Sequence, residues 1–535
     1  MALQRVRFPI ASAFCILASL IVVPSVVIGA DDDNNPPPPR HKKESDSLRN
    51  RILKIQAGIE ADKNKPARPA DFTGPELSDR EKVMQAVNRM SFGVTAGEVD
   101  AILEKGGWQV WAKEQLDAEK IDDAACDKLI LQRFPWVKTP IQELEKDYGY
   151  QKKPEMRKGE SQMMHTLLPE CVLVRSVMSK RQFKEVMCDF WRNHFCVDQP
   201  HNNEEKTRSW TDADYEEQVI RKHVFGQFKD MLFASARHPA MLEYLDQKLS
   251  HRNSWNENYA REVMELHTLG ADRGYGNADV QELSKVLTGW TYGMDYHFKF
   301  DPNDHQPGPK HWLGNTVEEG YSGGEKALYT LAMARTTSEF ISEKLVRYLV
   351  NDNPPPTLVK KVAAVFRESK GNLPKVYAAI IMSPEFMSRD NYRAKFKTPF
   401  EFTISALRST TAKLENEEDA CDRLRRMGEP IYDCPDPTGY RDVAESWMDA
   451  GVLTTRWQFA WDLLRGDVRG ITVPPQFLEG YKSLKSEEAE LKMIEDLVAG
   501  DVGDRELTTL KEVAANGDFP RMASIILGSP SFQQR

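Results

Sequence analysis

Beyond residue 78, apolar residues recur at intervals of three and four almost without a break, and two-residue alternation is scarce. A period near 3.6 buries one stripe of an α-helix, whereas a half-buried strand needs a period of two. The pattern therefore restricts the chain to helices packed on helices. Ser78-Asp79-Arg80-Glu81 forms a capping box, with Val83, Met84, Val87 and Met90 as the stripe behind it. Thr95 to Glu98 forms a second box, opening a short helix that Gly106-Gly107 ends. Phe340, Ile341, Leu345, Tyr348 and Leu349 make a further stripe, and a helix from Thr357 to Lys370 stops at Gly371. The expectation is an all-α protein: one large multi-helical domain with long Gly/Pro-rich loops and little or no β structure.

Composition narrows the class. Of 535 residues, 40% are apolar and 29% charged, which excludes a wholly disordered chain, a collagen and a disulfide-dense miniature scaffold. The formal charge is −9, from 72 Lys+Arg against 81 Asp+Glu. Wrapping duplex nucleic acid needs a basic footprint that such a chain lacks, so no nucleic-acid partner is expected.

The first 30 residues read as an export signal. Arg5 and Arg7 precede an uncharged run from Phe8 to Ile28, and Ile28-Gly29-Ala30 ends in small residues before Asp31. The competing reading is an uncleaved anchor, since about 20 apolar residues can span a bilayer. Pro9 and Pro24 interrupt the run and Asp31-Asp32-Asp33 follows at once, which favours cleavage. No second long apolar run exists, so no transmembrane anchor is expected after cleavage, and the protein is expected in the periplasm, on the cell surface or secreted. Cleavage would shift the formal charge to −11 by removing two arginines and no acid.

Residues 31–76 are polar and include Pro36 to Pro39, a composition that cannot bury a core and reads as a tether. The helical core is expected over 77–465, with a C-terminal helical extension over 466–535 packed on it. Six cysteines follow the signal. Cys188 and Cys196, if on one helix, stand about 12 Å apart and cannot pair. Cys421 and Cys434 are the most plausible local pair for a disulfide. One internal echo is visible: Ile380-Ile381-Met382-Ser383-Pro384-Glu385-Phe386 with Arg389 resembles Ile525-Ile526-Leu527-Gly528-Ser529-Pro530-Ser531-Phe532 with Arg535. It suggests a duplicated helical module, although chance similarity of two helix ends accounts for it equally well.

All eleven histidines lie at or before His311, so any imidazole site is built from the first three-fifths of the chain. Phe183, Val186, Met187, Phe190, Trp191 and His194 share one helical face, which puts His194 against the core, as a satisfied core residue or as a ligand or acid/base. On a helix over Trp255 to Gly270 with Tyr259 at the origin, Val263 falls at about 40°, Leu266 at about −20° and Glu262 at about −60°, inside the apolar stripe. A carboxylate aimed into a core must be paired, protonated or bound to a cation. His267 lies at the margin of that stripe, and Glu257, Arg261 and Glu265 form an ion-pair ladder by spacing. The loop from Phe300 to Gly314 sets Asp301, Asp304, His305 and His311 among prolines, which suits a divalent metal or a polar ligand. The candidate catalytic residues are therefore Glu262, His194 and His267, and the candidate metal ligands are His194, Glu262, Asp304 and His305. No HExxH, EF-hand, GxxxxGK[ST], GxSxG or GxGxxG pattern occurs, so no nucleotide or dinucleotide cofactor is expected.

Together, these segments resemble a bacterial family, the domain of unknown function numbered 1800. The resemblance rests on Asn88-Arg89-Met90-Ser91-Phe92-Gly93, on Trp191-Arg192-Asn193-His194-Phe195, and on Asn256 through Glu262, Glu265, His267 and Gly270. It continues through Asp279-Val280, Glu282-Leu283 and Leu287-Thr288-Gly289-Trp290, then Ser383-Pro384-Glu385-Phe386, Lys397 to Phe402, Gly428-Glu429-Pro430 and Trp447 to Phe459. It covers roughly residues 80 to 465. Gln306 stands where the family pattern has aspartate after His305, and Cys434 to Tyr440 is a degraded form of a Pro-Pro-Asn-Val-x-Gly-Trp segment. The resemblance implies an exported, mostly helical protein, often encoded beside a second exported family, and it supplies no established reaction.

Two function classes stay open. One is a non-catalytic binding or assembly protein at the cell envelope, with a protein partner and a glycan as a further ligand class, recognised through Trp210, Trp255, Trp290 and Trp312. The other is a metal-dependent or carboxylate/imidazole hydrolase with a pocket around Glu262, His194 and His305.

Overall fold

In the computed structural model, residues 76–148, 157–197, 209–434, 436–500, 502–514 and 517–535 are described. The expected signal, and all of the expected tether but residue 76, lie outside them. Helices dominate, and the strands form three short antiparallel pairs: Trp290–Tyr292 with Phe298–Phe300, Lys310–Trp312 with Asn315–Val317, and Lys413–Leu414 with Ile471–Thr472. No described helix is long and apolar enough to cross a membrane.

Ser78 caps the helix Asp79–Met90 as its box predicts: its N–H donates to Glu81 Oε2 at 2.7 Å, and the Glu81 N–H returns to Ser78 Oγ at 3.3 Å. The second box works differently. The Thr95 N–H and hydroxyl donate to Glu98 Oε2 at 2.9 and 3.0 Å, but Gly97 is left-handed at φ +73° and the helix Glu98–Glu104 starts only after it. The stripe from Phe340 to Leu349 sits on Arg335–Leu349, and Pro356–Glu368 ends before the left-handed Lys370 and Gly371.

One apolar cluster runs from Met90 to Phe532 and gathers helices from both ends of the described chain. The helix Gln182–His194 contributes Phe183, Val186, Met187, Phe190 and Trp191 to it, all buried. Each such side chain contributes about 1.5–3 kcal/mol when withdrawn from water. The Trp191 indole N–H donates to Tyr377 Oη at 2.6 Å, and the Tyr377 hydroxyl passes its own hydrogen to the Val224 carbonyl at 2.9 Å.

The C-terminal helices are woven into the same core. Ala450–Arg465 lies against Phe519–Gly528, where Trp457 donates to the Gly528 carbonyl at 2.7 Å and a Cβ on Gly528 would come within 2.8 Å of the indole. Arg456 donates to Gln533 Oε1 at 2.7 Å, and buried Arg535 reaches the Tyr348 carbonyl at 3.2 Å.

The two echo segments share local geometry. Ser383 Oγ accepts the Phe386 N–H at 3.2 Å, and Ser529 Oγ accepts the Phe532 N–H at 3.2 Å. The arginine that follows each finds the third-position glutamate of a capping box: Arg389 pairs with Glu81, and Arg535 with Glu401 of the Thr398 box at 2.8 Å. The recurrence therefore extends beyond a helix end to a Ser-Pro turn, an arginine and a capped helix.

Candidate functional site

His194 is the last residue of Gln182–His194, delivered to the core by the stripe that carries Phe190 and Trp191. Its ring stacks on Phe190 at 6.2 Å and meets Trp191 and Phe195 edge-on at 5.2 and 4.6 Å. Nε2 lies 3.2 Å from the His267 carbonyl oxygen. A carbonyl only accepts, so this network assigns the proton to Nε2 and leaves Nδ1 with a bare lone pair. Nδ1 accepts from Lys344 Nζ at 3.0 Å. Burial, then the Lys344 charge, hold the His194 pKa well below the ordinary imidazole value; the same two causes bring His267 to about 3. Both rings are neutral at physiological pH. Burial, then Arg347, bring Lys344 down to about 8.

Lys344 and His194 open onto a cavity of about 530 Å³. Its walls include the ends of Gln182–His194 and Arg335–Leu349 and residues of 429–434 and of the segment 438–443. That segment is pinned by side chains that imitate backbone pairing. Asn193 Nδ2 donates to the Tyr440 carbonyl at 2.8 Å and Asn193 Oδ1 accepts the Tyr440 N–H at 2.6 Å. Gly439 is required for this approach: its φ is +72°, and a Cβ would stand 2.3 Å from the Asn193 carbonyl oxygen. Lys395 ties the far end by donating to Asp352 at 2.5 Å and Asp442 at 2.6 Å.

Two carboxyls in the wall are pushed toward their neutral forms. Burial raises Asp189 to about 6 against the pull of Arg192, which donates to it at 3.2 Å. Burial, then Asp189, push Glu429 well above the ordinary carboxyl range, although its Oε2 accepts the Phe400 N–H at 2.7 Å. Glu216 lies behind this wall, where burial opposes ionisation but Arg192, with Nη2 to Oε1 at 3.0 Å, prevails and holds the carboxylate charged. Tyr432 donates to the same carboxylate at 2.6 Å. Glu216 opens a π-helical turn, Glu216–Arg221, a wound form that recurs at functional sites.

Among the sequence candidates, the structure joins His194 to His267 through the latter's backbone and leaves the others elsewhere. The helix expected to reach Gly270 runs only from Asn258 to Glu265; the His267 N–H bonds back to the Glu262 carbonyl at 3.1 Å, a wider turn. That unwinding moves His267 from the margin into full burial. Glu262 is half-buried, and its pKa is raised by burial, then Glu265. Arg261 bonds Glu257 at 3.0 Å, realising the first rung of the expected ladder.

The four side chains expected around one metal do not assemble. His305 Nδ1 donates to the Thr288 carbonyl at 2.9 Å, and its Nε2 accepts from Gly320 N–H and Lys310, both at 3.1 Å. Asp304 accepts from His251 at 2.6 Å and from the Arg252 N–H at 3.1 Å. With both imidazoles fully engaged elsewhere, His194, Glu262, Asp304 and His305 share no centre, and no cluster of three or more metal-ligating side chains occurs among the described residues. Gln306 takes a structural part in place of the family aspartate, accepting the Asn253 N–H at 2.8 Å. The Cys421–Cys434 pairing is not formed either, since neither cysteine is in a disulfide.

Lys344 is the site residue the sequence did not single out. It sits among apolar neighbours, a place where lysine commonly lays its stem along the core with its head in water. Arg192, Asn193 and Glu429, by contrast, belong to segments already marked by the family resemblance.

The family described as a protein of unknown function (DUF1800) matches residues 85–534. The chain belongs to the DUF1800 family. The DUF1800 match runs past residue 465, so the C-terminal helices are part of the family unit, and it includes every residue lining the cavity. No curated protein and no solved structure gives a match.

Proposed function

We propose that this DUF1800 protein is an exported binding component of the cell envelope, acting with a protein partner and taking a small polar ligand into the cavity beside Lys344. The observation that carries the reading is the convergence on one 530 Å³ cavity of polar groups from distant segments. A concave site with a few aimed polar groups and displaced acidities is where a ligand is expected first. Export is supported by the charge-free run from Phe8 to Ile28. The tryptophan surface is a weaker support: Trp210, Trp290 and Trp312 are buried, and Trp255 alone of the four faces outward, with Lys285 Nζ 4.8 Å above its ring.

Thermal-shift measurements with a panel of small carboxylic acids and sugars test the ligand. A shift that disappears in Lys344→Met is expected; no shift with any of them would remove this reading. N-terminal sequencing of protein from cell fractions should find a start near Asp31 outside the cytoplasm, and an intact Met1 on cytoplasmic protein would contradict export.

A hydrolase reading draws on the Lys344–His194 contact, which couples an amine to a bare imidazole nitrogen. This reading predicts turnover of a chromogenic ester that is lost in Lys344→Met, measurable by absorbance.

A further inference from the structure

We infer that Lys344 is a carbonyl-capturing amine: the cavity takes a small aldehyde, ketone or 2-oxo acid and holds it as an imine on Nζ. The inference rests on the cavity being the ligand site and adds the chemical class of the ligand.

Three observations carry it. First, Lys344 opens into the cavity without an ion pair among the described residues, its hydrogen bond going instead to an uncharged imidazole. A lysine serving as a structural cation is ordinarily matched to a carboxylate, because a desolvated ammonium is costly. Arg192 and Arg347 of the same wall are matched in this way, to Glu216 and to Glu343, each at 3.0 Å. Second, the acceptor at His194 Nδ1 is fixed by the Nε2 bond to the His267 carbonyl, so a proton leaving Nζ has a receiving lone pair 3.0 Å away. Third, exposed Arg441 lies at the cavity rim with no ion pair among the described residues, which supplies a second cation for the acid group of a 2-oxo acid. The lowered Lys344 pKa of about 8 agrees with an amine that is partly unprotonated near neutral pH.

The step balances without an outside reagent. The Nζ lone pair forms a C–N bond to the carbonyl carbon, and the C=O π electrons move onto oxygen, which takes one of the two Nζ protons. Nζ gives the other to His194 Nδ1. The carbinolamine C–O bond then breaks with return of that proton, and one water leaves as the C=N bond forms. Nothing is oxidised or reduced.

Pyruvate is the probe, with propionate as an anion that cannot form an imine. The purified exported protein is incubated at pH 7.5 with pyruvate and sodium cyanoborohydride, digested, and mapped by mass spectrometry. The expected result is a carboxyethyl adduct on Lys344, about tenfold or more above that on exposed Lys361, which lies outside the cavity and pairs with Glu385 at 3.0 Å. The adduct should vanish in Lys344→Arg, whose fold is checked by circular dichroism, and fall when propionate competes. Calorimetric titration with both acids runs in parallel. Binding of both with no excess adduct at Lys344 would overturn the imine and leave the cavity as a binding site. Binding of neither, with no adduct, would overturn the ligand class and the inference together.

Discussion

Lys344 holds a charge where a charge is expensive, and pH dependence should expose the cost. Its folded pKa of about 8 lies below the ordinary lysine value of about 10.4. Below pH 8 both states keep the proton and the full penalty acts on the fold. Between the two values the unfolded chain binds the proton and the folded one does not, so stability climbs with pH. Urea denaturation at pH 7 and pH 10 reads this contribution as a difference between proteins: Lys344→Met should raise the midpoint at pH 7 more than at pH 10 relative to the unsubstituted chain. His194→Ala acts in the opposite direction. It strands the Lys344 amine and the His267 carbonyl, at a cost of about 1–3 kcal/mol for each group left unsatisfied, readable as a lower urea midpoint. His194 was legible at this scale because a stripe of apolar residues points to its face. Its partners were not, because Lys344 is 150 residues away along the chain and its spacing is that of any lysine flanking a buried stripe.

At the scale of elements, the two capped helices and their arginines make a controlled comparison. Arg535 and Glu401 are each 3% exposed, whereas Arg389 and Glu81 are 20% and 29% exposed. Removing one partner of a buried pair strands the other charge, so Arg535→Ala should cost about 3–5 kcal/mol. Arg389→Ala should cost about 0.2–1 kcal/mol, as more exposed pairs do. Chemical denaturation of the two variants checks the ranking. The outer pair also has an acid signature: its hydrogen bond from Arg389 brings Glu81 down to about 2. A depressed carboxyl stabilises the fold above its unfolded pKa and loses that contribution as pH falls through the folded value. Glu81→Gln should therefore flatten the stability change between about pH 4.5 and pH 2. Capping boxes were readable because donor and acceptor are three residues apart. The end of Asn258–Glu265 was not, since its periodicity continues while the backbone unwinds to bring the His267 carbonyl to His194.

Across the whole molecule, the two ends of the described chain share one core. A chain cut after residue 465 loses the helix Phe519–Gly528, exposes Trp457 and Arg456, and leaves Glu401 without Arg535. Such a truncation should give no cooperative thermal transition by circular dichroism; a sharp transition would show that 77–465 folds alone. The helical class followed from sequence alone, because a 3.6-residue period and its caps act within a few residues of one another. So did the absence of nucleotide-binding motifs, which are contiguous patterns. The cavity belongs to tertiary structure. Asn193 and Lys344 come from two helices and Glu429 and Gly439 from the loop region between 429 and 443, and only packing brings a lysine, a bare imidazole nitrogen and a glycine-dependent loop together. Tertiary structure also gave His194, His305 and Asp304 different hydrogen-bond partners, and no cluster of three or more metal-ligating side chains forms among the described residues.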